Sequence, residues 1–312
     1  MTDFLFDRRI KLVFTNRDDP LDQVIIENPE IVGEEPLKID FQVEKQLSTE
    51  PNRADIDITN LSDDTASKIN FRKPILEFKF GAKVEIFAGY GDRVKKIFSG
   101  VVIAAITSRE GAIKVTRVEC RNIFYELMQS RINETAAKGT LKSSFILRLL
   151  TLIGANIEAK ARAVMIQRLS GQVFKDTTTF TGTAYNIINE INRGLLSAVT
   201  ISFDDIATSF NPVGIPLDEP PTIYDASEGQ ILGTPQPTEI GTDFTIPLDP
   251  DLKISSPVLL FSDTIQAFFP SGRFVVKQII HSGVNRADGV FESRVISVFD
   301  RTNQADTTIA VA

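Results

Sequence analysis

The chain has 312 residues, enough for two ordinary domains or for one domain carrying a large insertion. Apolar residues make up 42% and charged residues 24%, ordinary values for a globular chain that buries a core. The formal charge, 34 − 41 = −7, disfavours nonspecific attraction to nucleic acid or an anionic membrane, and the single cysteine, Cys120, excludes an intrachain disulfide framework and a cysteine-based metal site.

No apolar run approaches the roughly 18 residues needed to span a bilayer. The segment Met1 to Arg9 carries Asp3 and Asp7 and has no apolar stretch of the secretory kind. Folding in cytoplasm is therefore expected.

In chain order, Ile10–Phe14 is a strand candidate within a long N-terminal lead, Met1 to Glu35. Leu37, Ile39, Phe41 and Val43 then alternate with Lys38, Asp40, Gln42 and Glu44, the period of a strand with one buried face. After a polar turn at Pro51-Asn52, Ala54, Ile56 and Ile58 repeat that pattern. Ser62 is placed to cap a short helix, with Asp63 and Asp64 in its first turn. Strand patterns return at Lys83–Phe87, Ile97–Ile106 and Ile113–Cys120, and Gly89-Tyr90-Gly91-Asp92 supplies turn residues between the first two. Short strands with one short helix predict a closed or nearly closed β-barrel.

The middle of the chain changes period. From Leu141 the residues Phe145, Leu149, Leu152 and Ile153 fall on one helical face, with Gly154 as the stop. A second helix starts after Gly182-Thr183, carrying Ala184, Ile187, Ile188, Ile191 and Leu195, before Thr200–Phe203 returns to strand. Glu126 to Asp204 thus reads as a small α+β insertion. From Asn211 to Pro257 prolines are dense, which predicts loop, edge strand and connector, with Asp218 to Gln230 as the part expected to lack order. The strands Pro257–Phe261, Arg273–His281 and Val290–Phe299 close the chain. Val275, Val276, Ile279 and Ile280 place apolar residues on both faces, as in a barrel wall covered on two sides.

Residues that could carry chemistry are few. A serine or cysteine hydrolase would need the lone histidine, His281, as its base, but that residue sits within a strand pattern. Asp55 and Asp57 project from one strand face; a glycosidase needs such a pair, but simple alternation with Ile56 and Ile58 explains it fully, and nothing beside them argues for a shifted pKa. Gly89-Tyr90-Gly91 leads towards a strand-like run, whereas a dinucleotide loop opens a helix. Arg93, Lys95 and Lys96 are either a solvated strand edge or a contact between subunits. Asn60-Leu61-Ser62 matches a glycosylation sequon.

Three segments together resemble the baseplate hub proteins of phage tails and related contractile injection systems. The first is Phe41–Lys45, Pro51–Ile58 and Asn60-Leu61-Ser62, followed by Gly89–Gly91 and Ile97–Val101. The second is Phe180-Thr181-Gly182 leading into the helix Ala184–Gly194. The third joins Gly233-Thr234-Pro235, Glu239-Ile240-Gly241 and Leu248-Asp249-Pro250 to Gly272–Val276 and Ile280–Gly283. Their order spans most of the chain. The N-terminal lead and the proline-rich loop after Asn211 depart from the family's pattern.

The resemblance implies a mainly β, α+β chain with two tail-tube-type β-barrels flanking the insertion: residues 1–125, 126–204 and 205–312. It further implies a homotrimer whose six similar barrels form a pseudo-sixfold ring, adapting a sixfold tail tube to a threefold central spike. Tail tube, spike, tape measure and other baseplate proteins are the implied partners, and DNA passes only in transit through the lumen. Asp55 and Asp57 are candidates for its wall, and Arg93, Lys95 and Lys96 for a subunit contact. The implied place is the virion tail, assembled in host cytoplasm. One histidine, one cysteine and no convincing site argue separately against a catalytic residue, a metal or a cofactor. Two other readings stand beside this one. A tail-associated peptidoglycan hydrolase would need a buried acidic pair in a cleft. A carbohydrate-binding β-module would need exposed aromatic platforms, yet there are no tryptophans and 4 tyrosines against 22 phenylalanines.

Overall fold

In the computed structural model, residues 7–27, 37–69, 81–122, 130–155, 157, 159–195, 199–203, 208–286 and 289–302 are described. The expected unit boundaries at 125/126 and 204/205 lie outside them. The first part comprises β1 (Arg8–Thr15), β2 (Gln23–Glu27), β3 (Ile39–Gln46), β4 (Arg53–Thr59), α1 (Asp63–Ile69), β5 (Lys83–Tyr90), β6 (Arg93–Glu110) and β7 (Ile113–Asn122). The middle holds β8 (Arg131–Ala136), α2 (Lys142–Leu152), α3 (Ala159–Arg168), β9 (Thr178–Thr183), α4 (Ala184–Gly194), β10 (Ile201–Phe203) and β11 (Thr208–Phe210). The last part comprises β12 (Thr222–Asp225), β13 (Leu232–Thr238), β14 (Gly241–Pro247), β15 (Pro257–Phe261), α5 (Asp263–Phe268), β16 (Arg273–Val284) and β17 (Phe291–Phe299). The fold is mainly β, and no helix among the described residues is long and apolar enough to cross a membrane.

Alternation decides the first part. Ile39, Phe41, Val43, Ala54, Ile56 and Ile58 all enter one core, and each large apolar side chain buried there contributes about 1.5–3 kcal/mol. The strands run β3-β4-β7-β6-β5-β1-β2. Phe41 on β3 and Tyr90 on β5 stand four strand steps apart, about 19 Å in a flat sheet. Yet both rings meet Phe291, at centroid distances of 6.4 and 5.0 Å. The sheet therefore curls around its core, as the strand pattern predicts. Asn60 takes a left-handed conformation (φ 60°) and exchanges bonds with Lys114, and Ser62 Oγ then accepts from the amide of Thr65 to start α1.

The middle part has its own core, drawn from Ala136 to Phe210. Thr183 caps α4 by accepting from the amide of Asn186, and α4 buries Ala184, Ile187, Ile188 and Ile191. In α2, Phe145 and Leu149 are buried as expected, but Leu152 faces solvent at 56% exposure; the buried face runs instead through Ile146 and Leu150. This part is held to the first by the buried amides of Asn52 and Asn122, both donating to the carbonyl of Phe203 (3.4 and 3.3 Å), and by a bond between Thr49 and Asn189.

The last part repeats the first. Its strands run β13-β14-β17-β16-β15-β12, and with β13 matched to β3 each strand occupies the place of its counterpart in β3-β4-β7-β6-β5-β1. Both sequences contain a hairpin of the first two strands, and in both a long strand is bulged against its partner: between Val102 and Ala104 in β6, and between Val276 and Gln278 in β16. Here too the sheet curls, since Tyr224 on β12 and Phe244 on β14, four steps apart, bring their rings to 5.8 Å. Three features differ: β2, which pairs with β1, has no counterpart beside β12 among the described residues, β12 pairs parallel to β15 where β1 is antiparallel to β5, and α5 follows β15 where α1 follows β4.

Three expectations need correction or sharpening. The stretch Asp218 to Gln230 is ordered in part by β12, which pairs with β15. Of the prolines, Pro235 and Pro237 lie on β13, at the end of the sheet, where a missing amide donor is tolerated. The apolar doublets of β16 reflect its bulge as much as two covered faces: skipping Lys277 puts Val276 and Ile279 into the same core, while Ile280 turns to the half-buried opposite side.

The two repeats form one sheet. The near half of β16 pairs with β15, and beyond the bulge its far half pairs with β3, from Gln278↔Gln46 to Val284↔Asp40. A single strand thus changes partner at Lys277 and welds the last part to the first.

Candidate functional site

Both cores lie on the same side of this continuous sheet; on its other side Val101, Val275 and Val298 are buried, and the rest carries a row of charged side chains that forms a polar wall. On β14 and β17, Asp243 takes a bidentate ion pair from Arg294, with contacts of 3.0 and 2.6 Å. Arg294 stands opposite Ile280 on β16, and Ile280 opposite Glu44 on β3, which accepts from Gln278 at 2.6 Å. Glu44 pairs with Arg53 on β4, whose guanidinium holds Asp55 at 2.6 Å. Two residues on, Asp57 lies 3.5 Å from Arg117 of β7. Acidic and basic groups alternate across the wall and largely satisfy one another.

Asp55 and Asp57 therefore sit where alternation places them, on the wall and away from the core. Oδ1 of Asp55 is buried without a hydrogen-bond partner among the described residues, while its side chain as a whole is 36% exposed. Neighbouring Asp40 has its pKa raised, first by burial and further by the charge of Asp57, with Lys38 opposing. The pair faces an open sheet rather than a cleft, each aspartate against an arginine.

The other singled-out residues make contacts within the chain. His281 is fully buried in β16, its Nδ1 2.8 Å from Ser293 Oγ, and that hydroxyl also accepts from the amide of Asp249. Burial pushes its pKa down to about 3, so the imidazole is neutral at physiological pH. Cys120 is buried and its thiol is pushed up by the same desolvation. Gly91 supplies the left-handed residue (φ 53°) of the β5–β6 hairpin, and Arg93 at the start of β6 confirms the strand-like continuation. Lys95 and Arg93 both reach Asp251, and Lys96 reaches Glu85. The cluster thus ties β6 to the segment after β14.

No group of three or more His, Cys, Asp or Glu residues among the described ones is arranged to hold a metal ion. Two shallow depressions lie on the middle part, one at Ile157, Arg162 and Ile166 and one at Tyr185, Asn189 and Glu190. Neither brings two carboxylates together. The feature that residue-level reading missed is the wall itself: its strands come from distant parts of the chain, and only the β16–β3 pairing makes them continuous.

No family model matches the sequence, and no curated protein matches it. Solved structures do. A tail protein from Neisseria meningitidis aligns with a TM-score of 0.58 at 9% identity, covering 95% of this chain and 98% of that one. The 43 kDa tail protein of a Shewanella oneidensis prophage aligns with a TM-score of 0.55 at 11% identity, over 92% and 98% of the two chains. An Escherichia coli component of the type VI secretion system, described as similar to the T4 tail proteins gp27 and gp5, aligns at 0.51 and 11% identity over 86% and 76%. At these identities the likeness is one of fold, and it extends over nearly the whole chain: this protein has the fold of phage tail proteins.

Proposed function

We propose that this chain is a structural hub protein of a phage-like tail baseplate. It acts as a homotrimer in which each copy supplies two tube-type barrels, within residues 1–125 and 205–312, and the insertion 126–204 stands beside them. Three copies supply six similar modules, which suits an adaptor between a sixfold tail tube and a threefold spike. The observation that carries the reading is the repeated strand order welded into one sheet through β16 and β3.

The wall is suited to line a channel through which DNA passes. Its carboxylates, Asp55 and Asp57 among them, repel phosphates, and its arginines are engaged by neighbouring carboxylates. Arg93, Lys95 and Lys96 keep exposed side-chain surface beyond their pairing with Asp251 and Glu85, and through it they contact a neighbouring subunit. Tube, spike and tape measure proteins are the proposed partners, in a virion tail assembled in host cytoplasm. The role is non-enzymatic: the one histidine is sealed in a core and the acidic pair has no cleft.

Electron microscopy of the purified chain, alone and mixed with its tube and spike proteins, tests the reading. A threefold ring with six lobes around a lumen is expected. A compact particle without a lumen, or an open filament, would overturn it.

A further inference from the structure

The turn between β1 and β2 and the middle part of the chain stand at the same end of the first barrel. Thr15, the last residue of β1, pairs with Lys83, Lys83 with Val101, Val101 with Arg121, and Arg121 with Arg53. One residue beyond this row, Asn122 and Asn52 hold the carbonyl of Phe203 in the middle part. The sheet passes from one repeat to the other across its strands, so in a ring of such chains the strands run along the axis. Rotation about that axis keeps heights unchanged. The β1–β2 turn of one copy therefore lies in the same layer as the next copy's middle part.

The turn presents an apolar knob. Leu21 is 93% exposed, so it does not occupy any site on its own chain. Its place is fixed by main-chain bonds: the amide of Asn16 donates to the carbonyl of Asp22, the amide of Asp22 to the carbonyl of Asp19, and the amide of Leu21 to Oδ1 of Asp19 at 3.0 Å. A turn ordered in this way docks at little further entropic cost. Residues 16–22 hold three aspartates and one arginine, so the knob sits in an acidic setting.

A depression of opposite character lies on α3. It is lined by Ile157, Ala159, Ala163 and Ile166, with Arg162 as its one charged residue, and encloses about 410 Å³. Ile166 is 47% exposed there, and α3 carries no acidic residue. We propose that the β1–β2 turn of one copy docks on the middle part of the next: Leu21 enters this depression, and Asp19 and Asp22 face Arg162. The inference rests on the ring reading and names a contact between its subunits. Each chain has one such turn, since β2 has no counterpart beside β12 among the described residues, and one α3, so three copies form three such contacts. The contact joins two different surfaces head-to-tail, the kind that closes rings.

The test is the double variant Leu21→Cys/Ala163→Cys in the full chain, alone and with its spike protein. Cys120 is buried and stays out of the reaction. Mild oxidation should give covalent dimers and trimers on non-reducing gels. Neither single variant should do so, and Leu21→Cys/Thr181→Cys, with its second cysteine on exposed β9, should crosslink at least tenfold less efficiently. Leu21→Asp and Arg162→Asp, both at exposed sites, should each weaken self-association at least tenfold with circular dichroism unchanged, and Leu21→Met should restore it. A chain that light scattering shows to be trimeric but that does not crosslink would overturn this contact and leave the ring reading standing. A crosslink within single chains, or equal crosslinking by Leu21→Cys alone, would also overturn the contact. A chain monomeric at every concentration, with and without the spike, would overturn both.

Discussion

The hydroxyl of Tyr90 donates to the main-chain carbonyl of Phe291 at 2.9 Å, and the two rings meet edge-on at 5.0 Å. Tyr90 belongs to the first repeat and Phe291 to the second, and Phe41 packs on the same ring at 6.4 Å. Together with the guanidinium of Arg8, which donates to the carbonyls of Arg286 and Gly289, this contact seats one module on the other. Tyr90→Phe removes only the hydrogen bond and should cost about 1 kcal/mol. Phe291→Ala removes the shared ring and should cost about 3–5 kcal/mol. Urea unfolding of the two variants measures both losses.

The amides of Asn52 and Asn122 converge on the carbonyl of Phe203 and hold the middle part against the first. Each replacement by alanine should destabilise by about 1–2 kcal/mol, and because they share one acceptor the two losses should not add. A double-mutant cycle by thermal unfolding checks the coupling. Limited proteolysis should then cut the middle part first.

His281 makes the junction sensitive to acid. It pairs with Val43 on one side and Ser293 on the other, and burial holds its pKa at about 3 against an ordinary 6.5. An unfolded chain takes up a proton near pH 6.5 and the folded chain does not. Stability is therefore full above that value and is lost as pH falls through it towards the folded value, by about 1.4 kcal/mol per pH unit. Between pH 7.5 and 5 the loss should be about 2 kcal/mol. His281→Gln should remove that pH dependence in urea unfolding.

Asp40 carries the opposite sign. Burial, with the charge of Asp57, raises its pKa in the folded protein, so its ionisation lowers stability as pH rises through the ordinary carboxylate range. The cost persists at neutral pH. Asp40→Asn should raise stability at pH 7 by less than about 1 kcal/mol, solvent screening included. At pH 3, where the wild-type carboxyl is already protonated, the gain should disappear from the thermal unfolding curve.

Strands with strict alternation were legible from the sequence because one buried face imposes a period of two: β3 and β4 fall where Phe41 and Ile56 predict them. Helix α4 was equally plain from its four buried positions and the Thr183 cap. Other elements left no such trace. In α3 the only fully buried residue with a described side chain is Met165, so no apolar stripe marks it. β8 and β9 are largely exposed and polar, and β13 hides behind its prolines, which an edge tolerates. The polar wall was legible only piecewise. Asp55 and Asp57 reveal the polar face of β4, but the continuity from Asp243 to Arg117 depends on the β16–β3 pairing between residues more than two hundred positions apart.

The mass of the purified chain in solution, with and without its spike protein, tests the ring most directly. Light scattering should report three chains per particle, either for the chain alone or once the spike is present. A strict monomer under both conditions would contradict the account.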